Sequence, residues 1–141
     1  MQKTPRKTQP TRDSRTRLTR DSKTQPTRGI DGAEAETLAA TFLVERGLTI
    51  VERNWRRRCG ELDLIARDGD TVVFVEVRLR RRGDFGGAGA SITAAKQARL
   101  VKTAGLYLAR FSRAPACRFD AILFDALGPA RIEWLRDIIS A

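Results

Sequence analysis

The chain has 141 residues, with 27 Lys and Arg against 17 Asp and Glu and no histidine. That length suits one domain with a real core. The missing histidine excludes Ser-His-Asp and Cys-His catalysis, zinc-His centres and histidine-dependent nuclease chemistry.

The formal charge of +10 is uneven. Residues 1–28 carry nine Lys or Arg against Asp13 and Asp21, a net of +7. They also echo themselves: Thr8-Gln9-Pro10-Thr11-Arg12 returns as Thr24-Gln25-Pro26-Thr27-Arg28. With Leu18 the only sizeable apolar residue after Met1, this segment is expected to be a disordered basic tail. It is either an arm that touches polyanions or a solvated extension. The folded domain is expected over 29–141. Cys59 and Cys117 lack CxxC spacing and read as free thiols of a reducing cytoplasm. No apolar run approaches a membrane span, and the N-terminus lacks a signal-peptide apolar stretch.

Ala35, Leu38, Ala39, Phe42 and Leu43 follow helical spacing, with Asp31 as N-cap and Gly47 as stop. Leu48 to Trp55 reads as a first strand running into Arg56-Arg57-Arg58. Glu61–Arg67 and Thr71–Arg80 read as the second and third strands, and Gly83–Gly89 as a mobile glycine-rich loop. A long helix is expected from Thr93, its N-cap, to Phe111. Ala94, Ala98, Val101, Ala104, Gly105, Leu108 and Phe111 form its buried stripe, and Gln97 falls within it. Arg118–Phe124 is a fourth strand and Arg131–Leu135 a short fifth. The order α-β-β-β-α-β-β defines an α/β domain, a mixed central sheet flanked by helices.

The hairpin Gly60–Arg78 carries the chemistry. Asp63, Glu76 and Arg78 interrupt two apolar strands, where unpartnered charge is costly to bury. A two-residue turn at Asp68-Gly69 sets Asp63 opposite Phe74 and diagonal to Glu76, and alternation puts Asp63, Glu76 and Arg78 on one face. Two carboxylates so placed can share a divalent cation. Arg56, Arg57, Arg58, Arg80, Arg81 and Arg82 flank the hairpin, as a solvated rim or as a track for a polyanion.

The runs GAEAETLAATFLVERG, RNW, GELDLIARDGDTVVFVEVR, FGGAGASITAAKQARL and CRFDAILF together resemble the YraN family of small bacterial proteins. That family falls in the restriction-endonuclease-like superfamily, near archaeal Holliday-junction resolvases. The resemblance covers roughly residues 29–139. It implies a nuclease core in which a helix Glu (here Glu34), a strand Asp (Asp63) and the first residue of an E-x-K motif (Glu76) bind Mg²⁺ or Mn²⁺. The motif's lysine assists the attacking water, and a Lys-Gln pair maps to Lys96-Gln97. One departure stands out, because the E-x-K lysine is Arg78 here.

Glu34 also fits a capping box with Asp31, and Gln97 could hydrogen-bond a backbone group or orient a carboxylate or phosphate. The carbonyl of Val77 is a further candidate metal ligand. Arg78 could grip a phosphate or clamp Glu76 as an ion pair. The resulting expectation is a metal-dependent endonuclease acting on branched or single-stranded DNA. The alternative is a catalytically weak nucleic-acid-binding module of the same fold. A third class, an RNA-associated basic protein, draws on the tail and the charge. A homodimer is expected by analogy with resolvases.

Overall fold

The computed structural model describes residues 31–80, 92–125 and 132–139. The tail, the loop Gly83–Gly89 and Arg81 and Arg82 lie outside the described residues, as does the side chain of Arg80. Helix α1 (Gly32–Glu45) starts at Asp31, whose carboxylate accepts from the Glu34 amide while the Glu34 carboxylate accepts from the Asp31 amide. This reciprocal cap satisfies amides that the first turn leaves without partners. The helix ends at Glu45 with Arg46 as its C-cap, and Gly47 follows with a φ of 97° that is open to glycine at little cost.

Five strands follow: β1 (Thr49–Arg57), β2 (Gly60–Asp68), β3 (Thr71–Arg80), β4 (Cys117–Asp125) and β5 (Ile132–Leu135). They form one sheet in the order β1-β2-β3-β4-β5. β1, β2 and β3 are antiparallel neighbours, β3 and β4 are parallel, and β5 closes antiparallel on β4. The parallel pair requires a crossover, supplied by helix α2 (Ala94–Leu108) with Thr93 as its N-cap. The expected α-β-β-β-α-β-β order is the observed one.

The two helices cover opposite faces. Ala35, Ala39 and Leu43 of α1 pack on Leu64, Val73, Val75, Ile122 and Phe124. Leu100, Ala104 and Tyr107 of α2 pack on Trp55, Leu62, Ile65 and Phe74. The buried stripe of α2 is therefore Leu100, Thr103, Ala104 and Tyr107, rotated from the expected one. Val101 is 49% exposed, and Ala94, Ala98, Gly105 and Phe111 are exposed too. Large side chains decide the rotation, because buried area scales with size and alanines contribute little of it. Tyr107 meets Trp55 and Phe74 edge-on, with centroids 5.4 and 5.9 Å away.

The hairpin register differs from the expected one by two residues. Asp68 pairs with Thr71 and Leu64 with Val75, so the turn is Gly69-Asp70. Glycine takes the first central position, at φ 64°. Asp68 stays in its strand, where the Arg118 guanidinium reaches it at 3.1 Å.

Arg118 also donates from Nε to both oxygens of Asp120, at 3.0 and 3.2 Å. Asp120 is wholly buried and accepts further from the Trp134 indole and the Asp137 amide, each at 2.9 Å. Burial alone would lower the Arg118 pKa, but the bonds to Asp120 and Asp68 outweigh it and raise it. A buried charge so satisfied becomes expensive when one partner is removed. Arg118→Ala should therefore lower unfolding free energy by about 3–5 kcal/mol, read from urea melts. A loss below about 1 kcal/mol would mean that Asp120 needs no cation.

Candidate active site

β2 and β3 separate at one end of the hairpin. Their ladder runs from Asp68–Thr71 to Leu64–Val75, while β3 continues along β4 to Arg80–Asp125. In the resulting fork the carboxylate of Asp63 accepts from the amide of Val77 at 2.9 Å. A side chain thus takes a donor that the strand ladder would otherwise use.

The local cause lies in β1. Asn54 sits between the pairs Arg53–Leu64 and Trp55–Leu62, and has φ 52°, a left-handed conformation that asparagine tolerates. Across this irregularity the alternation of β2 slips. Leu62 and Ile65, three residues apart, both face α2, whereas Leu64 faces α1. Asp63 is therefore not placed by simple alternation; its carboxylate lies in the fork. The ladder ends one residue short of it, at Leu64–Val75, and the charge of Glu76 still reaches its carboxylate.

Glu76 projects into the α2 layer and is 9% exposed. Its carboxylate is 3.1 Å from the ammonium of Lys96. Arg78 does not clamp Glu76, as Lys96 holds it. Arg78 instead lines a cleft of about 230 Å³ with Glu76, Ile92, Thr93, Lys96 and Arg99. Gln97 donates from Nε2 to the carbonyl of Ile92 at 3.0 Å. That is the backbone alternative for this residue, and it secures the entry to α2.

Glu34 remains at the helix start, exposed and engaged in its cap. The α1 acid whose field reaches Asp63 is Glu36. Residues two apart on a helix point about 200° apart, so Glu36 faces the fork from a different side of α1 than Glu34, which is engaged in its cap. Glu36 borders the buried stripe of Ala35, Ala39 and Ala40, and a half-buried acid beside small residues was the signal for it. Asn54 was the other residue that sequence reasoning passed over. Among the arginines, Arg56 pairs with Glu61 at 3.1 Å, Arg57 stacks on Trp55 with its guanidinium 3.9 Å from the ring centroid, and Arg58 is exposed in the turn.

The electrostatics of the fork are one-sided. Burial, then the charge of Glu76, push the Asp63 pKa up from 3.8 to about 7, with Glu36 and Glu61 adding smaller increments. The Val77 amide alone pulls it down. All the donors are oxygens of the kind that hard divalent cations take. Among the described residues no three acidic or sulfur-bearing side chains are gathered closely enough to hold an ion. The oxygens that the fork offers are those of Asp63 and Glu76, with the carbonyl of Val77, whose amide Asp63 accepts from.

Fold and fork together define a mixed α/β domain of restriction-endonuclease-like element order, with an acidic site where two strands part. The chain belongs to the uncharacterised protein family UPF0102, whose profile matches residues 35–124. This is the YraN family of the sequence resemblance. A UPF0102 protein of Nitrosomonas europaea is 54% identical over 109 residues, covering 77% of this chain and 92% of its own. One from Methylobacillus flagellatus is 50% identical over 110 residues, covering 78% and 96%. One from Dechloromonas aromatica is 53% identical over 110 residues, covering 78% and 88%. Among the described residues no helix is long and apolar enough to cross a membrane.

A carboxyl group whose pKa is raised by folding favours the folded state when protonated. That contribution is present below pH 4 and is lost as pH rises through about 7. Asp63→Asn keeps an acceptor for the Val77 amide and removes the charge. Its stability should match the parent near pH 4 and exceed it at pH 8 by about 2–4 kcal/mol, read by urea unfolding at both values. Equal stability at pH 8 would show that the fork does not oppose ionisation of Asp63.

Proposed function

We propose that this protein is a metal-dependent, nuclease-like DNA-processing protein that acts on the phosphodiester backbone of branched or single-stranded DNA. The observation that carries the reading is Asp63, a carboxylate held at about 7 by burial and by three neighbouring acids. Strongly shifted groups beside a cleft are candidates for function. Here the environment lacks what a divalent cation supplies.

Mg²⁺ is commonly held by one or two carboxylates, with waters and substrate phosphate completing its shell. Asp63 and Glu76 fit that pattern, with the Val77 carbonyl as a third donor and Glu36 behind them. A bound Mg²⁺ or Mn²⁺ would offset charge on the phosphoryl group and acidify a water. The remaining tasks fall to the chain. Lys96 reaches Glu76 at 3.1 Å and can turn toward a water or a phosphate oxygen in the same cleft. Arg78, with its planar guanidinium fork, can grip a non-bridging oxygen but does not serve as a general base. Arg56, Arg57 and Arg58 hold backbone phosphates without reading bases, which makes binding salt-dependent and selective for DNA structure over sequence. Arg80, Arg81 and Arg82, at the end of β3 and beyond, are assigned the same role.

A second reading, a binding module that cleaves weakly, is favoured by Arg78. Arginine in the E-x-K position stabilises phosphate charge but positions a water less well than lysine. Purified protein should therefore bind junction, flap and single-stranded DNA over duplex, with slow nicking that Mn²⁺ or Mg²⁺ supports and EDTA abolishes. Arg78→Lys should accelerate nicking tenfold or more, with Asp63→Asn as the inactive control. A parent that already cuts fast, with the lysine variant no faster, would show the arginine to be neutral. Calorimetry should find Mn²⁺ binding that Asp63→Asn and Glu76→Gln each remove. Binding that survives both changes would move the metal elsewhere.

A further inference from the structure

The basic residues of α2 do not end at the fork. Arg99 borders the cleft shared by Glu76 and Lys96, and also lines a smaller one of about 50 Å³ with Gly60, Glu61, Lys96 and Thr103. Gly60 pairs with Arg57 across the β1–β2 ladder. A Cβ at Gly60 would lie 3.0 Å from Thr103 Oγ1, so turn and helix are in close contact there. Arg57 stacks its guanidinium 3.9 Å from the centroid of the Trp55 indole. From the other side of this edge comes Arg110, just past the end of α2, 4.1 Å from the Tyr107 ring centroid and 5.8 Å from that of Trp55.

Two guanidinium groups therefore gather around one indole although their charges repel. Among the described residues no carboxylate pairs with Arg57 or Arg99, and Arg110 has only a loose contact with Glu52 at 3.9 Å. Nη1 of Arg57 donates to the carbonyl of Arg56 at 2.6 Å; stacking on the aromatic face leaves the remaining N–H groups of a guanidinium open to a planar or tetrahedral anion. It also holds those groups in place, so less freedom is lost on binding. On a helix, positions 99, 103 and 110 lie within about 40° of one another. Lys96 and Arg99 border the side of α2 where buried Thr103 closes on Gly60, and Arg110 follows just past the helix end, about 20 Å along the axis from Lys96.

We propose that Arg99, Arg57 and Arg110 form a phosphodiester track that leaves the acidic fork along α2 and ends in a two-arginine clamp at Trp55. Its occupant is the sugar-phosphate backbone of one nucleic-acid strand, a proposal resting on the reading that the fork receives such a strand. The track length corresponds to about six phosphates at the rise of a stacked strand, and fewer if the strand is extended. Arg57 and Arg110 hold the far end. Because no metal is involved, the track works in EDTA.

The test is fluorescence anisotropy of labelled oligothymidylates of 2 to 12 nucleotides in EDTA, across a salt series. The full-length parent is compared with Arg57→Gln/Arg110→Gln. For the parent, affinity should climb with length to about six nucleotides and then level. In the variant the climb should stop about five nucleotides earlier, with binding of the longest oligomer weakened tenfold or more. Its log Kd against log salt should be shallower by about 1.4, two contacts at 0.7 each for a single strand. An unchanged length profile and salt slope in a variant that melts like the parent would overturn the track, as would a parent that binds no oligomer. Inorganic phosphate competing as well as the oligomer would mean a site for single anions, and would overturn the strand assignment. Mn²⁺ calorimetry on the same variant keeps the readings apart: the track can fail while the fork still binds metal, and loss at the fork leaves the EDTA profile intact.

Discussion

Much of this molecule follows from one unfavourable placement, a carboxylate lodged between two strands that have stopped pairing. Asp63 can take the Val77 amide because the β2–β3 ladder ends at Leu64–Val75. The ladder can end there without loosening β3, because β3 is paired along its whole length to β4 on its other side. β2 in turn is held from outside by β1, whose Asn54 adopts φ 52° where Asp63 arrives. The fork is therefore open in one direction and rigid in the others. Strain and unfavourable charge at a position that the surrounding structure over-determines are typical of functional sites.

Charge is distributed around the fork in layers. At its centre Asp63 and Glu76 stand with one cation, Lys96, bound to Glu76. That leaves Asp63 against Glu36 and Glu61 as well as Glu76, and every charged neighbour raises its pKa. Outside this negative centre the signs reverse, with Arg78 and Arg99 on the cleft wall. On the proposed reading, a phosphodiester that arrives with a divalent cation would meet both signs of charge, the acids with its cation and the cleft-wall arginines with its phosphate.

Element order was legible in the sequence because apolar periodicity and caps are local. Asp31, Gly47 and Thr93 act where chain chemistry placed them. The importance of Asp63 and Glu76 was legible because charges inside apolar strands need an explanation. What sequence hid were the relations set by tertiary packing. In the observed register Asp68 stays in its strand and meets Arg118, fifty residues away, a contact no local pattern announces. The face of α2 depended on Leu100 and Tyr107 finding Trp55 and Phe74, which an unweighted projection of alanines cannot see. The choice between Glu34 and Glu36 depended on which side of α1 met the sheet. Glu34 fits the capping pattern so well that it drew attention from its neighbour.

Two aspartates, Asp120 wholly buried and Asp63 half-buried, are handled in opposite ways. Asp120 is wholly buried, yet four donor contacts from three residues satisfy it: Arg118 Nε twice, the Trp134 indole and the Asp137 amide. Its negative charge is matched by a guanidinium and it fastens β4 to β5 and to the hairpin. A structural need for a buried acid is met in this way, with every lone pair answered. Asp63 has one amide and three acids for company. Had the fold needed only a hydrogen-bond acceptor for Val77 at that point, asparagine would serve without the electrostatic cost. The same chain shows at Asp120 that it can supply a cation to a buried carboxylate. Lys96 sits on the adjacent Glu76, so a cation was also within reach of the fork, and its ammonium is spent on the neighbour. An acid kept short of positive charge under those circumstances is what the proposed metal-binding role of the fork would call for.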